Sequence, residues 1–302
     1  MARTQPTEAS GERLIKPKMK QTLRSLKNLF IQRLNFQAPE ETEAQFFRLL
    51  ESFFQITRLD YLKNSDSPLA EHQKEKLMKA LAALENNQPV QHILGTTSFA
   101  GLTLRVNANV LIPRPETEEL LVFIKEQMPD LNRAIDVGTG SGCIALALAQ
   151  HYKNAQIWAT DLSSLALSLA QENALDLGLS VNFLENNVLT ASRELPQDLD
   201  LIVSNPPYIR QSEKRTMAPN VVNYEPHLAL FVEDEDPLIF YRAIADYAQK
   251  ALRKEGLLAF EINQYLAPQT CTLLEQKGFK ARFLEDSFGN ARFVLACLQG
   301  RV

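Results

Sequence analysis

Apolar positions along this chain change their spacing near residue 88, and the change divides it. Between about Lys20 and Glu85 the spacing is helical. Leu23, Leu26, Leu29, Phe30 and Leu34 share one face; Phe46, Leu49, Leu50 and Phe53 share another; Leu77, Leu81 and Leu84 share a third. Such three-and-four spacing buries one side of a helix. Pro39-Glu40-Glu41 and Ser67-Pro68-Leu69 read as helix starts, with proline in the first turn, where its missing N–H costs nothing. Residues 88–115 read as a bridge, with Phe99-Ala100-Gly101-Leu102 turning between two strands. From 134 onward apolar runs alternate with helical stretches. Strands are expected at 134–137, 156–160, 181–184, 199–204 and 257–262, and a hairpin-like pair near 280–285 and 291–298. Alternation of this kind predicts a doubly wound α/β sheet with helices on both faces. The expected organisation is an unpatterned, disordered extension over 1–18, with Met19 as a second start, a helical domain over 19–87, a linker with a β-hairpin over 88–115, and an α/β domain over 116–302.

Composition narrows the class. At 302 residues, 45% of them hydrophobic, the chain can bury one substantial core and one small one. A net charge of −4 and a pI near 5.7 supply no general attraction to phosphate backbones. Nucleic-acid binding draws on basic surface, so no nucleic-acid partner is expected. No apolar run approaches the roughly eighteen residues of a membrane span, and the N-terminus lacks the apolar core of a signal peptide. A cytoplasmic protein without a membrane partner is the expectation, with a monomer as its state. Cys143, Cys271 and Cys297 lie far apart and read as reduced packing residues. Neither they nor His72, His92, His151 and His227 show ligand spacing, so no metal is expected.

The first candidate chemistry lies at Ala134-Ile135-Asp136-Val137, an apolar strand that runs into Gly138-Thr139-Gly140-Ser141-Gly142 and then the helix from Cys143 to Ala149. This is the opening strand, loop and helix of a nucleotide-binding α/β unit. Glycines let the backbone approach a ligand closely, and the helix end behind them offers unpaired N–H groups. Gln156 to Thr160 reads as the next strand and ends in Asp161, placed to accept hydrogen bonds from both hydroxyls of a ribose. A dinucleotide fingerprint needs glycine at relative positions one, three and six. Here the glycines stand at one, three and five, with Cys143 sixth. That spacing does not meet the pyrophosphate pattern and suits S-adenosylmethionine, whose methionine end passes the loop without a phosphate.

A place for the methyl group to go follows the strand Ile202-Val203-Ser204, which ends in Asn205-Pro206-Pro207-Tyr208. The Asn205 amide oxygen can accept a hydrogen bond from an NH₂ group. Pro206 and Pro207 lack N–H groups but keep their carbonyls in a nearly fixed shape, and Pro206 pushes Asn205 out of the helical region. Tyr208 supplies a ring face for a planar amide or base. Gly138, Asp161, Asn187 and Asn205 all fall at carboxyl ends of predicted strands, where open α/β sheets bind ligands.

Gln88-Pro89-Val90-Gln91-His92-Ile93-Leu94-Gly95, then Leu111-Ile112-Pro113-Arg114-Pro115-Glu116-Thr117-Glu118, then the glycine loop, then Asn205 to Tyr208 form an ordered series. From about Met19 onward the chain resembles the bacterial peptide chain release factor N5-glutamine methyltransferases. The resemblance implies a seven-stranded, Rossmann-like class I S-adenosylmethionine-dependent methyltransferase domain behind a small N-terminal helical bundle that recognises the substrate. It implies cofactor contacts at Gly138, Thr139, Gly140, Ser141, Gly142, Asp161, Asn187, Val188 and Asn205, and a substrate cradle of Asn205, Pro206, Pro207 and Tyr208. The expected partner is a class 1 release factor, methylated on the glutamine of its Gly-Gly-Gln loop. Arg114 and Glu116 are lid candidates, and Glu116 and Glu118 also suit the first turn of a helix. Two positions depart from the family. Asn187-Val188 lacks the usual acid and aromatic, and Asn263 stands where glycine is frequent, at an expected tight turn that Asn tolerates.

Catalysis is expected from Asn205, Pro206 and Tyr208 by positioning and by accepting both amide hydrogens, without a dedicated base or a metal. Tyr224-Glu225-Pro226 and Phe240-Tyr241-Arg242 are candidates for the substrate wall. Other classes fit less well: a ribosomal-protein glutamine methyltransferase, an adenine-N6 methyltransferase acting on a flipped base, or a binding module with a vestigial cofactor site.

Overall fold

The computed structural model describes residues 21–190 and 195–298, so the extension read over 1–18 lies outside the described residues. The described chain divides into two compact units between Glu85 and Asn86.

Four helices make the first unit: α1 (Leu23–Arg33), α2 (Pro39–Phe54), α3 (Arg58–Asn64) and α4 (Glu71–Glu85). Thr22 and Ser25 cap α1 reciprocally, each side chain bonding the other's backbone N–H. Leu26, Phe30, Phe46, Leu49, Leu50, Leu77 and Leu81 are fully buried. The rings of Phe30 and Phe46 meet edge to face, with centroids 5.1 Å apart. Leu29 and Phe53, placed on the same faces by spacing, are only half-buried. The Ser67-Pro68-Leu69 start is corrected: α4 begins at Glu71. Pro68 is held in a β-bridge to Thr22, and Leu69 N donates to Gln21 O, so this backbone is spent on an extended contact. Helix α3 is too short to show a period; Thr57 and Asp60 cap it and Tyr61 anchors it.

The second unit opens with α5 (Val90–Leu94), the hairpin β1 (Thr96–Phe99) and β2 (Leu102–Arg105), and α6 (Pro115–Gln127). The bridge read over 88–115 is part of this unit's packing, since Phe99, Leu102 and Leu104 share a core cluster with Leu120 and Ile124. Then come β3 (Arg133–Val137), α7 (Cys143–His151), β4 (Gln156–Asp161), α8 (Ser164–Leu177), β5 (Asn182–Glu185) and β6 (Leu199–Ser204). A minor excursion follows, made of β7 (Ile209–Arg210), α9 (Pro219–Tyr224), α10 (His227–Leu230) and β8 (Phe231–Val232), in which β7 and β8 pair in parallel. The chain finishes with α11 (Ile239–Ala251), β9 (Leu252–Glu261), α12 (Ala267–Gln276), β10 (Phe279–Glu285) and β11 (Ala291–Leu298).

Seven strands form one sheet in the order β10-β11-β9-β6-β3-β4-β5. The five from β9 to β5 are parallel, and β11 and β10 close the edge antiparallel. Alternate residues separate two cores. Ala134, Ala159, Leu201, Ala259 and Phe293 face α6 and α7, whereas Ile135, Ile202, Leu258, Phe260 and Val294 face α11 and α12. Strand β9 starts five residues before the predicted 257 because Leu252 pairs with Leu199 ahead of a register shift. The tight turn expected at Asn263 is also corrected. Its φ of −65° and ψ of 122° are extended, and its side chain accepts from Tyr265 N and donates to Tyr208 O and Glu213 Oε2.

Candidate active site

Strands β3, β4 and β6 lie together in the sheet, and the residues that follow them border one cavity of about 240 Å³. Gly138, Thr139, Gly140, Ser141, Asp161, Asn187, Val188, Asn205, Pro206, Pro207 and Arg114 all line it. Gly142, Glu116 and Tyr208 do not.

The glycine loop is tied to the end of β4. Gly138 N and Thr139 N both donate to Thr160 O at 2.8 Å. Gly140 N donates to Asp161 Oδ2 and Ser163 N to Asp161 Oδ1, each at 2.9 Å. Each carboxylate oxygen can take a second donor, so Asp161 can accept from two ligand hydroxyls without losing the loop. Burial pushes its pKa up, opposed by the N–H groups around it. Gly138 and Gly140 have φ of +76° and +55°, and a Cβ on either would meet no atom within 4 Å, so the loop leaves a cradle that side chains would fill. Gly142 serves close packing instead, since its Cβ would stand 3.1 Å from Ala170 Cβ and from Leu146 Cδ1.

At the end of β5 the structure brings forward a residue that sequence reasoning passed over. Asn187 borders the cavity, but its Oδ1 accepts from Leu189 N at 3.0 Å in a local turn. Its neighbour Asn186 also borders the cavity, is 6% exposed, and finds no partner for Oδ1 or Nδ2 among the described residues. A buried, unpaired amide beside a cavity calls for a polar ligand edge. The cradle at Gly138 and Gly140, the acceptor at Asp161 and the free amide at Asn186 together fit the sugar and base of an adenosine ligand.

Arg114 Nη2 pairs with Glu225 Oε1 at 2.6 Å, while Ile112 N donates to Glu225 Oε2 at 3.1 Å. The guanidinium thus fastens the 112–114 segment to a buried acid just before α10. Glu116 lies half-buried in the first turn of α6. Of the two candidate wall segments, Pro226 from the first and Phe240 from the second line the cavity, but Tyr241 is fully buried in the core. Cys143 borders the cavity with its thiol pushed up to about 12 by burial.

Behind Asn205 lies a buried polar chain. Thr117 donates its hydroxyl to Glu261 Oε2 at 2.6 Å, Tyr208 donates to Glu261 Oε1 at 3.1 Å, and Asn205 Nδ2 lies 3.5 Å from Thr117 Oγ1. Burial pushes both the Glu261 carboxyl and the Tyr208 hydroxyl up from their usual pKa values. Glu261 was legible only as a charge ending an apolar run, and sequence reasoning gave it no role. Asp136, at 0% exposure, accepts from Thr139 Oγ1 at 2.6 Å and Ala145 N at 3.2 Å, and burial raises it to about 7.

A glycine loop, an acid at the end of the next strand and an Asn-Pro-Pro-Tyr loop at the carboxyl ends of a seven-stranded sheet define a class I S-adenosylmethionine-dependent methyltransferase. Family comparison agrees: a methyltransferase small domain matches residues 116–225, and a PrmC N-terminal domain matches residues 26–95. A release factor glutamine methyltransferase of Flavobacterium psychrophilum is 45% identical over 84% of this chain and 91% of its own length. One of Bacteroides thetaiotaomicron is 39% identical over 85% and 93%. The hMettl16 catalytic domain, 17% identical, superposes with a TM-score of 0.56 over 83% of this chain and 90% of its own, and shares the fold. The chain belongs to the release factor glutamine methyltransferase family.

Two outcomes are expected from these acids. An Asp136 carboxyl raised to about 7 binds protons in the folded state at pH values where the unfolded chain, near 3.8, has lost them. Its contribution to stability is therefore lost as pH rises from about 4 to about 7. Urea unfolding of Asp136→Asn should gain on wild type across that window and then level off; a pH-independent difference would contradict the burial argument. Asp161→Asn should weaken S-adenosylmethionine binding in calorimetry by about 10- to 100-fold, the worth of charge-assisted hydrogen bonds. Unchanged affinity would remove Asp161 from the site.

Proposed function

We propose that this chain transfers the methyl group of S-adenosylmethionine to the side-chain amide nitrogen of the glutamine in the Gly-Gly-Gln loop of a class 1 release factor. The observation that carries this reading is the position of Asn205, Pro206 and Pro207 in the wall of the cavity that the glycine loop and Asp161 also border. When bound, the cofactor supplies an electrophilic methyl group on a cationic sulfur. Asp161 takes the ribose hydroxyls and Asn186 the adenine edge, with Val188 beside it.

A carboxamide nitrogen is a poor nucleophile because its lone pair is shared with its carbonyl. Asn205 Oδ1 and the Pro206 carbonyl accept its two hydrogens, fix its plane and leave the lone pair aimed along the line of attack. Both acceptors also favour the positive charge that grows on nitrogen as the new bond forms. Holding the two reacting atoms in line is worth up to about 7–11 kcal/mol in well-oriented systems. The methylated nitrogen then gives its excess proton to an acceptor or to water. Tyr208, anchored on Glu261, keeps the end of the loop in place, and Arg114 with Glu225 holds the segment over the cofactor. Recognition of the release factor falls to the helical unit.

No helix among the described residues is long and apolar enough to cross a membrane. A substrate of the translation machinery puts the reaction in the cytoplasm.

Incubation with methyl-labelled S-adenosylmethionine and purified release factor should place one methyl on the loop glutamine, mapped by mass spectrometry. Label on adenine, on a ribosomal protein or nowhere would sink the proposal. Asn205→Ala should cut transfer by about 100-fold or more, the scale of losing one aimed polar group, with cofactor affinity nearly unchanged.

A further inference from the structure

We infer that Glu261, acting through the Thr117 hydroxyl, decides which end of the Asn205 amide faces the substrate, so that both are positioning residues for methyl transfer. The inference rests on the glutamine reading above.

An amide has one donor end and one acceptor end of nearly the same shape, so the cavity alone does not choose between them. The chain behind Asn205 does. Thr117 has a single hydroxyl proton, and that proton goes to Glu261 Oε2 at 2.6 Å. A bond to a carboxylate outcompetes one to a neutral acceptor, so the Thr117 oxygen is left with lone pairs only. Asn205 can meet it only with Nδ2, which stands 3.5 Å away. Oδ1 is then the end presented to a substrate N–H. Turned over, the amide would set oxygen against oxygen with no proton between them and would offer a donor to a substrate that needs an acceptor.

The carboxylate holds its own polarity from the other side. Tyr208 donates to Oε1 at 3.1 Å, so both oxygens of Glu261 act as acceptors. Burying a charge at the end of an apolar strand is costly. Among the described residues Glu261 makes no ion pair within 4 Å, and the nearby Arg292 bonds Asp286. Its two bonds go to Tyr208 and to the group that orients Asn205.

Glu261→Gln changes this polarity with little change of shape. Tyr208 still needs an acceptor, so the substituted amide keeps its oxygen there and turns its NH₂ toward Thr117. The Thr117 proton is then released toward Asn205, and the Asn205 amide flips. We expect kcat for glutamine methylation to fall about tenfold or more, with S-adenosylmethionine affinity within about threefold of wild type. Thr117→Ser, which keeps the hydroxyl, should retain most of kcat, and Thr117→Val should lose it. Once the hydroxyl is gone, the charge at 261 should no longer matter, so Glu261→Gln with Thr117→Val should be no slower than Thr117→Val alone. A wild-type kcat for Glu261→Gln, or equal losses for Thr117→Ser and Thr117→Val, would overturn the inference. If Glu261→Gln does not fold, seen as lost cofactor binding, the two Thr117 variants decide.

A readout without substrate separates this inference from the glutamine reading. In wild type, nuclear Overhauser contacts should link the Asn205 side-chain NH₂ protons to the Thr117 methyl, and Thr117→Ser should erase them. Their absence in wild type would overturn the relay even if release factor is methylated. Their presence would keep it even if the substrate proves to be something other than release factor.

Discussion

The carbonyl of Thr160 accepts two backbone N–H groups from the glycine loop, and the carboxylate of Asp161 accepts two more from Gly140 and Ser163. The three bonds from Gly138, Thr139 and Gly140 tie the turn after β3 to the end of β4, and the fourth, from Ser163, holds the Asp161 carboxylate in place. A parallel sheet leaves its strand ends without ladder partners, and a turn there must find other acceptors for its N–H groups. By ending β4 on Thr160 and Asp161, the chain meets that demand and still leaves lone pairs on Asp161. Other features of the site lean on this junction: the open backbone at Gly138 and Gly140, the run of α7 away from the loop, and the cavity that Asn205 faces from β6.

Acids recur around this cavity in different states. Asp136 and Glu261 are fully buried and pushed upward by loss of water, and Asp161 is pushed the same way, each held in check by donors. Glu225 is buried beneath Arg114. A site that receives a cationic sulfur gains from carboxyl groups nearby, but only if they do not wander. Fixing each by backbone N–H, hydroxyl or guanidinium groups means that their reorganisation cost is already met in folding. The same fixed bonds give Thr117 and Tyr208 their orientations.

Much of this was legible in the chain because periodicity records burial. The faces of α1, α2 and α4, and strands buried on both sides such as Ile202 to Ser204, announce themselves through spacing alone. What spacing cannot show is a backbone group already spent elsewhere. Pro68 looks like a helix start until its pairing with Thr22 is seen, and the early start of β9 at Leu252 shows only in its pairing with Leu199 of β6. The site divides in the same way. Gly138, Asp161 and Asn205 are set by strand ends and could be placed, whereas Asn186 and Asn187 sit one residue apart and only the fold tells which amide is buried. Tyr208 was read as a stacking face, yet its hydroxyl points to Glu261, a partner 53 residues away that no local pattern reveals. Asn263 shows the reverse error, since a residue chosen for turn geometry is extended and serves through its side chain.

The central claim is that Asn205 presents an oxygen to a carboxamide held in line with the cofactor. The most direct measurement is a crystal structure of this chain with S-adenosylhomocysteine and a release factor bearing its Gly-Gly-Gln loop. The glutamine amide nitrogen should stand within hydrogen-bond distance, about 3 Å, of both Asn205 Oδ1 and the Pro206 carbonyl, with its lone pair aimed along the line to the sulfur. A glutamine side chain bound away from Asn205, or an amide met by the Asn205 nitrogen instead of its oxygen, would contradict it.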